Sequence, residues 1–215
     1  RIKICLMKKN LMINLDKLKT CIENCKYAGD NLRNNNLFVS AAIMVIFSLD
    51  EKKNDQRLIL IRRKKNLRKH AGQVAFPGGR FESDDKNLVK TALRETEEEI
   101  NISENNLDVL GSLPVFYTGT GYAVTPFVAA IKNSFNYKKL MIADPNEVDK
   151  ILIVNTSDLL MPSKQIRIKA PIGSKMKMTW KVAYKNENIW GLTARVLVTI
   201  SAGLNLRGYP PCDDI

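Results

Sequence analysis

Between Phe76 and Ile100 the chain passes from a turn, Phe76-Pro77-Gly78-Gly79, into a segment that is helical in pattern and acidic on one side. At 100° per residue, Val89, Ala92, Leu93, Thr96 and Ile100 gather on one arc, while Glu95, Glu98 and Glu99 fall within about one 100° arc of their own. One face is fit to pack and the other to collect carboxylates. Carboxylates crowded in this way repel one another unless a cation sits among them, and hard divalent ions take oxygen ligands. Glu97 points elsewhere and is read as solvated.

The segments around this helix read as strands. Leu37 to Leu49 is rich in Val, Ile, Phe and Ala, and Arg57 to Arg63 centres on Leu58-Ile59-Leu60-Ile61, with a polar turn at Asp50 to Gln56 between them. Leu107 to Pro114 and Tyr122 to Ile131 follow, flanking the glycine loop Tyr117 to Gly121. Ile151 to Val154 is another strand, Ser157 to Leu160 a helical turn stopped by Pro162, and Gln165 to Lys169 with Lys175 to Tyr184 a hairpin around Pro171-Ile172-Gly173. Leu192 to Leu204 is the closing helix, with Gly203 near its end. Strands on both sides of one helix, then a last helix, predict an α+β layered domain. Leu11, Ile13, Leu15, Leu18, Ile22 and Cys25 place an additional helix within residues 11 to 27, ahead of the polar linker Asn31 to Asn36.

The net charge of +12 is unevenly placed. Residues 51 to 70 hold nine Lys or Arg against Glu51 and Asp55, whereas residues 82 to 99 hold seven acids against Lys86, Lys90 and Arg94. A basic approach thus leads into an acidic helix, which suits a polyanionic substrate gripped by cations and attacked beside a metal, although solvated basic surface is the commoner cause of positive charge. Four cysteines, Cys5, Cys21, Cys25 and Cys212, form no C-x-x-C pair and have one histidine to join them, so a zinc site is not expected. Cys21 and Cys25 read as two small buried helical residues rather than a disulfide. No apolar run reaches the length of a membrane span and no secretory leader is evident, so the expected setting is cytoplasmic, with organellar targeting left open.

Gly79, the acidic linker after it and Arg94-Glu95-Thr96-Glu97-Glu98-Glu99 resemble the Nudix box, Gly-x5-Glu-x7-Arg-Glu-U-x-Glu-Glu-x-Gly-U. Upstream, the thirteen-residue run Leu67-Arg68-Lys69-His70-Ala71-Gly72-Gln73-Val74-Ala75-Phe76-Pro77-Gly78-Gly79 is similar to the motif of the coenzyme A pyrophosphatase branch of that superfamily. Leu60-Ile61-Arg62-Arg63-Lys64 is a looser match, with Ile61 and Lys64 where that branch has Thr and Ser. Thr125-Pro126-Phe127, Asn146-Glu147-Val148 and Ile189 to Ala194 resemble later segments of the branch. The box departs from its pattern in three places. Measured back from Arg94, its first Gly falls on Arg80 and its first Glu on Lys86, so the linker is one residue longer and Asp85 is the candidate for that acid; its last Gly is Asn101; and Thr96 stands at the apolar position.

The resemblance implies a Nudix fold, an α/β/α sandwich around a mixed β-sheet, over residues 37–205, with an N-terminal helical extension and linker at 1–36 and a tail at 206–215. It also implies metal-dependent hydrolysis of the diphosphate of coenzyme A or its thioesters, giving 3′,5′-ADP and 4′-phosphopantetheine or its acyl form. Mg²⁺ or Mn²⁺ would be held by Glu95, Glu98, Glu99 and the Gly79 carbonyl. Glu98, Glu95, Arg94 and Glu147 are the candidate catalytic set, in which Arg94 pairs with a neighbouring carboxylate to hold loop to helix. Glu147 is read as a base or further ligand, or else as a surface residue at a helix start.

Arg63 and Arg68 are candidates for gripping phosphate, with structural ion pairing as the alternative. Gly72, Gly78 and Gly79 are placed beside the substrate as backbone bends. His70 reads as a loop hydrogen bond or packing residue, Trp190 and Phe127 as core aromatics. The expected partner is a small molecule, coenzyme A or a related nucleoside diphosphate derivative, with no membrane partner and a homodimer left open. Two rivals stand beside this reading: a Nudix hydrolase of NADH, ADP-ribose or an RNA cap, and a basic nucleic-acid-binding protein using residues 51 to 70. The scarcity of aromatics in that segment disfavours the second.

Overall fold

The computed structural model describes residues 11–25, 38–50, 55–67, 70–132, 136–172 and 175–207. Helix α1 (Leu15–Cys25) is followed by strands β1 (Val39–Asp50), β2 (Asp55–Arg63), β3 (Val74–Ala75) and β4 (Gly78–Arg80), then helix α2 (Leu88–Ile100). Next come β5 (Leu107–Ser112), β6 (Phe116–Tyr117), β7 (Tyr122–Ile131), the short α3 (Tyr137–Leu140), β8 (Val148–Asn155) and α4 (Thr156–Leu160). The chain then runs through β9 (Gln165–Ile172), β10 (Lys175–Tyr184), β11 (Glu187–Trp190) and α5 (Gly191–Gly203).

The larger sheet is mixed. Its strand order is β3-β2-β1-β7-β5, with β4 added to β1, β6 to β7 and β8 to β2. β1 and β7 run parallel over Val39↔Tyr122 to Phe47↔Ala130, while β1–β2, β2–β8 and β5–β7 are antiparallel. Leu58, Ile59, Leu60 and Ile61 are all fully buried because both faces of β2 are covered. Ile59 and Ile61 join Ala42, Met44 and Ile46 under Ala92 and Ile100 of α2. Leu58 and Leu60 join Val45 and Phe47 in a second core with α1, α4 and α5. The result is an α/β/α sandwich. A second sheet, β11-β10-β9, packs Trp180, Val182 and Ile189 into the same core as α5.

Helix α1 is shorter than its apolar pattern predicts, beginning at Leu15, yet Ile13, Leu18, Cys21, Ile22 and Cys25 are all buried in that core. Cys21 and Cys25 form no disulfide, and their thiols donate to the Ile200 and Thr199 carbonyls at 3.5 Å. The two helices approach closely because α5 carries Gly203 at the crossing, where a Cβ would stand 2.5 Å from the Cys25 sulfur. Trp190 and Phe127, expected in the core, are only half-buried, and Trp180 takes the core position instead. Among the described residues no helix is long and apolar enough to cross a membrane.

Candidate active site

The site forms where β4 delivers Gly78 and Gly79 against α2. Gly78 has φ +149°, and a Cβ there would lie 2.3 Å from the Ala42 carbonyl oxygen on β1, so only glycine lets the strands close to this distance. Gly79 faces the helix: a Cβ on it would stand 2.2 Å from the Glu95 carboxylate. The Gly78 amide donates to Glu99 Oε2 at 3.0 Å. Asn87 caps α2 by accepting from the Lys90 amide, and Asn101 closes it in the left-handed conformation at φ 58°, its side chain donating to the Leu140 carbonyl at 3.0 Å.

The carboxylates are graded by depth. Glu97 and Glu98 are exposed, Glu95 is partly covered and Glu99 is 3% exposed. Glu99 shares its side of the helix with Glu95, four residues away, yet is buried, since it also lies three residues from Thr96 and seven from Ala92, both on the packed face. Burial pushes the Glu99 carboxyl up to about 8, against the Gly78 amide and the Arg63 charge, which pull it down. Burial also raises Glu95 above its ordinary value, opposed by Arg94 and helped by the charges of Glu98 and Glu147.

Two arginines thread this group. Arg63, at the end of β2, donates to Glu99 Oε1 and to Glu147 Oε2, both at 3.1 Å. Arg94 grips Asp85 with Nε at 3.0 Å and Nη2 at 3.1 Å, reaches the Arg80 carbonyl at 3.2 Å, and gives Nη1 to Glu95 and Glu98 at 3.0 Å. Asp85 also accepts from the buried Thr91 hydroxyl at 2.8 Å and from the Glu82 amide at 3.0 Å. Its hydrogen bonds with Arg94 hold its carboxyl well below the usual range, and the same bonds raise the guanidinium. Arg94 therefore fastens the 80–85 loop to the helix.

Glu147 stands immediately before a strand, not at a helix start, beside the irregularity where β8 pairs with Arg62 and Arg63. Its own carbonyl accepts from the Lys64 amide at 2.9 Å. Gly72 shapes the β2–β3 turn at φ 69°, its amide directed to the Arg63 carbonyl at 3.1 Å, and His70 in the same turn bonds the Gln73 side chain at 3.0 Å. Arg68 lies outside the described residues. Sequence reading missed Thr91 and Asn87; a polar residue just before an apolar helical run is the signal for the second, whereas nothing local marks Thr91.

The oxygen-only donor set of Glu95, Glu98, Glu99, Glu147 and the Gly79 carbonyl suits a hard divalent ion. Among the described residues no three carboxylate, imidazole or thiolate groups already stand together as a metal cluster, and arginine nitrogens lie between the glutamates. Such crowding, with raised pKa at the two most covered glutamates, is the electrostatic setting in which added positive charge is favourable.

The model of the NUDIX domain family matches residues 39–170. The chain belongs to the Nudix hydrolases. A protein described as uncharacterized Nudix hydrolase NudL from Photorhabdus laumondii is 39% identical over 140 residues, 65% of this chain and 73% of the relative. Its counterpart from Yersinia pestis is 37% identical over 143 residues, 65% of this chain and 68% of the relative. Among solved structures, a MutT/nudix family protein from Enterococcus faecalis superposes with a TM-score of 0.52 at 16% identity, covering 80% of this chain and 63% of that one. That likeness shows the fold, an α+β sandwich around a mixed sheet. As a Nudix pyrophosphohydrolase the chain acts on phosphate anhydrides of nucleoside diphosphate derivatives, and Nudix hydrolases generally need divalent metal ions.

Proposed function

We propose that this Nudix hydrolase cleaves the diphosphate of coenzyme A or its thioesters, releasing 3′,5′-ADP and 4′-phosphopantetheine or its acyl form. The observation that carries this reading is the run from Leu67 to Gly79, whose resemblance to the coenzyme A pyrophosphatase motif continues without interruption into the turn that positions Glu95 and Glu99. Ile61, one of the two departures from the branch pattern, is fully buried between sheet and helix.

In this reading Glu95, Glu98, Glu99 and the Gly79 carbonyl hold Mg²⁺ or Mn²⁺, which when bound cancels charge on phosphoryl oxygens and presents an activated water. Glu98, 57% exposed at its side chain, is on the open side where a diphosphate arrives, and Glu95 lies deeper, 17% exposed against Gly79. Glu147 is the proposed proton acceptor or a further ligand. Arg63 sits within reach of phosphate once it leaves Glu99 or Glu147. Gly72 and Arg68 are proposed to border the substrate, and Arg94 keeps the loop and helix in register.

The test is incubation of the chain with coenzyme A, NADH and ADP-ribose in Mg²⁺ or Mn²⁺, with identification of products. Selective formation of 3′,5′-ADP from coenzyme A is expected. Equal or absent turnover of coenzyme A would refute the substrate while leaving the family unaffected. Glu98→Gln is expected to abolish the activity, and persistence would show that the carboxylates have been assigned wrongly.

A further inference from the structure

The last carbonyls of an α-helix have no partner inside it, and at the end of α2 one neighbouring segment supplies the donors. The Asp144 amide donates to the Glu99 carbonyl at 3.0 Å and the Ile142 amide to the Ile100 carbonyl at 3.3 Å. Asn101, where the Nudix box has glycine, adds a third bond, its side-chain amide donating to the Leu140 carbonyl at 3.0 Å. Residues 140–144 therefore cross the end of α2 as a strap. Met141 and Ala143 pack against the core that α2 shares with the sheet, while Leu140 and Ile142 are exposed.

The strap ends in a turn that carries Glu147. Asp144 Oδ1 accepts from the Asn146 amide at 2.9 Å and from the Asn146 side-chain nitrogen at 3.1 Å, and the Asp144 carbonyl accepts from the Val148 amide at 3.0 Å. Pro145 presets φ inside this turn. Val148, 3% exposed, opens β8 in the core. Glu147 is thus held between a residue bonded to the Glu99 main chain and one buried beneath the sheet, and its own carbonyl accepts from the Lys64 amide. Arg63 closes the ring by donating to the carboxylates of both Glu99 and Glu147. Because the Glu147 side chain is 48% exposed, packing does little to place it, and its position relative to Glu99 is set through the main chain.

We propose that the Asp144 carboxylate, with the Asn101 side chain as a second anchor, positions Glu147 against the carboxylates of α2. This rests on the reading of Glu147 as proton acceptor or further ligand, and on no particular substrate. Neither side chain is needed to end the helix. Asn101 is left-handed at φ 58°, a conformation glycine adopts freely, and Asp144 meets the Glu99 carbonyl through its main chain. What the two side chains add is a fixed course for the strap and the turn after it. A reacting group displaced by about 1 Å costs up to about 100-fold in rate.

The experiment compares Asp144→Ala, Asp144→Asn, Asn101→Gly and Glu147→Gln with the unaltered full chain, by steady-state kinetics in Mg²⁺ or Mn²⁺ on whichever of coenzyme A, NADH and ADP-ribose it cleaves. Asp144→Ala should lower kcat by about 10- to 100-fold with KM unmoved. Asp144→Asn, whose side-chain oxygen accepts the same two bonds, should recover most of the rate. Asn101→Gly should lower kcat less, without lowering the thermal midpoint. Combined with Glu147→Gln, Asp144→Ala should add little further loss. Amide hydrogen exchange of the metal-free protein reads the same effect apart from turnover: in Asp144→Ala the amides of Asn146 and Val148 should exchange faster while those of α2 keep their protection. Full rate in Asp144→Ala, a loss confined to KM, no recovery in Asp144→Asn, or full additivity with Glu147→Gln would overturn the inference and leave Glu147 in its role. Full rate in Glu147→Gln, or cleavage of none of the three diphosphates, would remove the reading of Glu147 and the inference with it.

Discussion

The amide of Gly78 donates to Glu99 Oε2 at 3.0 Å, so the turn that leads toward the acidic helix also holds that helix's most buried carboxylate. The consequence is a stability profile that can be measured. Unfolded, Glu99 titrates near its ordinary value of 4.5; folded, burial pushes it up to about 8. The folded chain binds this proton more tightly, so the stability it contributes is fully present below the unfolded value and is lost as pH rises through the folded one. In chelator, urea unfolding should show stability falling from about pH 5 to about pH 8, by on the order of a few kcal/mol. Glu99→Gln should flatten that stretch of the curve. An identical slope in the variant would assign the effect to another group.

The two glycines of the turn should fail in different ways. Gly78→Ala places a Cβ 2.3 Å from a backbone oxygen at a φ that side chains rarely adopt, so β4 must move off β1. A loss of about 3 kcal/mol or more is expected, seen as a lowered urea midpoint. Gly79→Ala meets only the end of a glutamate side chain, at 2.2 Å, which can swing away. Its stability should change by less than about 1.5 kcal/mol while turnover of a diphosphate substrate falls at least about tenfold, because Glu95 is displaced. Equal destabilisation by both substitutions would mean that Glu95 is not free to yield.

The long strands were legible because their apolar runs are buried on both faces, and β7 spans Tyr122 to Ile131 as its pattern predicts. The short strands were not: Val74-Ala75, Gly78 to Arg80 and Phe116-Tyr117 exist by virtue of their pairing partners, which no local pattern records. The sequence marked the glutamates as a group, but depth within the group depends on where the sheet lies. Glu99 is buried by its spacing from Ala92 and Thr96, a relation visible in the helix once the packed face is known. Its pairing with Arg63, thirty-six residues away, arises from the joining of β2 and α2 through tertiary structure.

The Asp85–Arg94 fork makes a sharper test of loop anchoring than either residue alone. Arg94→Lys retains charge but cannot present two parallel donors to Asp85 together with others to Arg80 and Glu95. A cost of about 1–3 kcal/mol is expected, similar to that of Asp85→Asn. Because each change breaks the same contact, the double variant should cost clearly less than the two single costs added together. Strict additivity in thermal or urea unfolding would show that the fork does not couple loop to helix.

Glu147 and Arg63 separate chemistry from support. Glu147 is 48% exposed at its side chain, and its ion pair with Arg63 lies at the surface, where such a pair is worth about 0–1 kcal/mol. Glu147→Gln should leave unfolding nearly unchanged. If the residue accepts the proton or holds metal, kcat should fall by about 10²–10⁴. Unchanged turnover at saturating metal removes it from the catalytic set. Arg63→Met differs, because it leaves Glu99 buried without its guanidinium partner at 3.1 Å. The metal-free protein should lose stability above about pH 8, where Glu99 is ionised, and lose much less near pH 5, where it is protonated. A pH-independent loss in Arg63→Met would indicate that the guanidinium supports packing rather than the charge on Glu99.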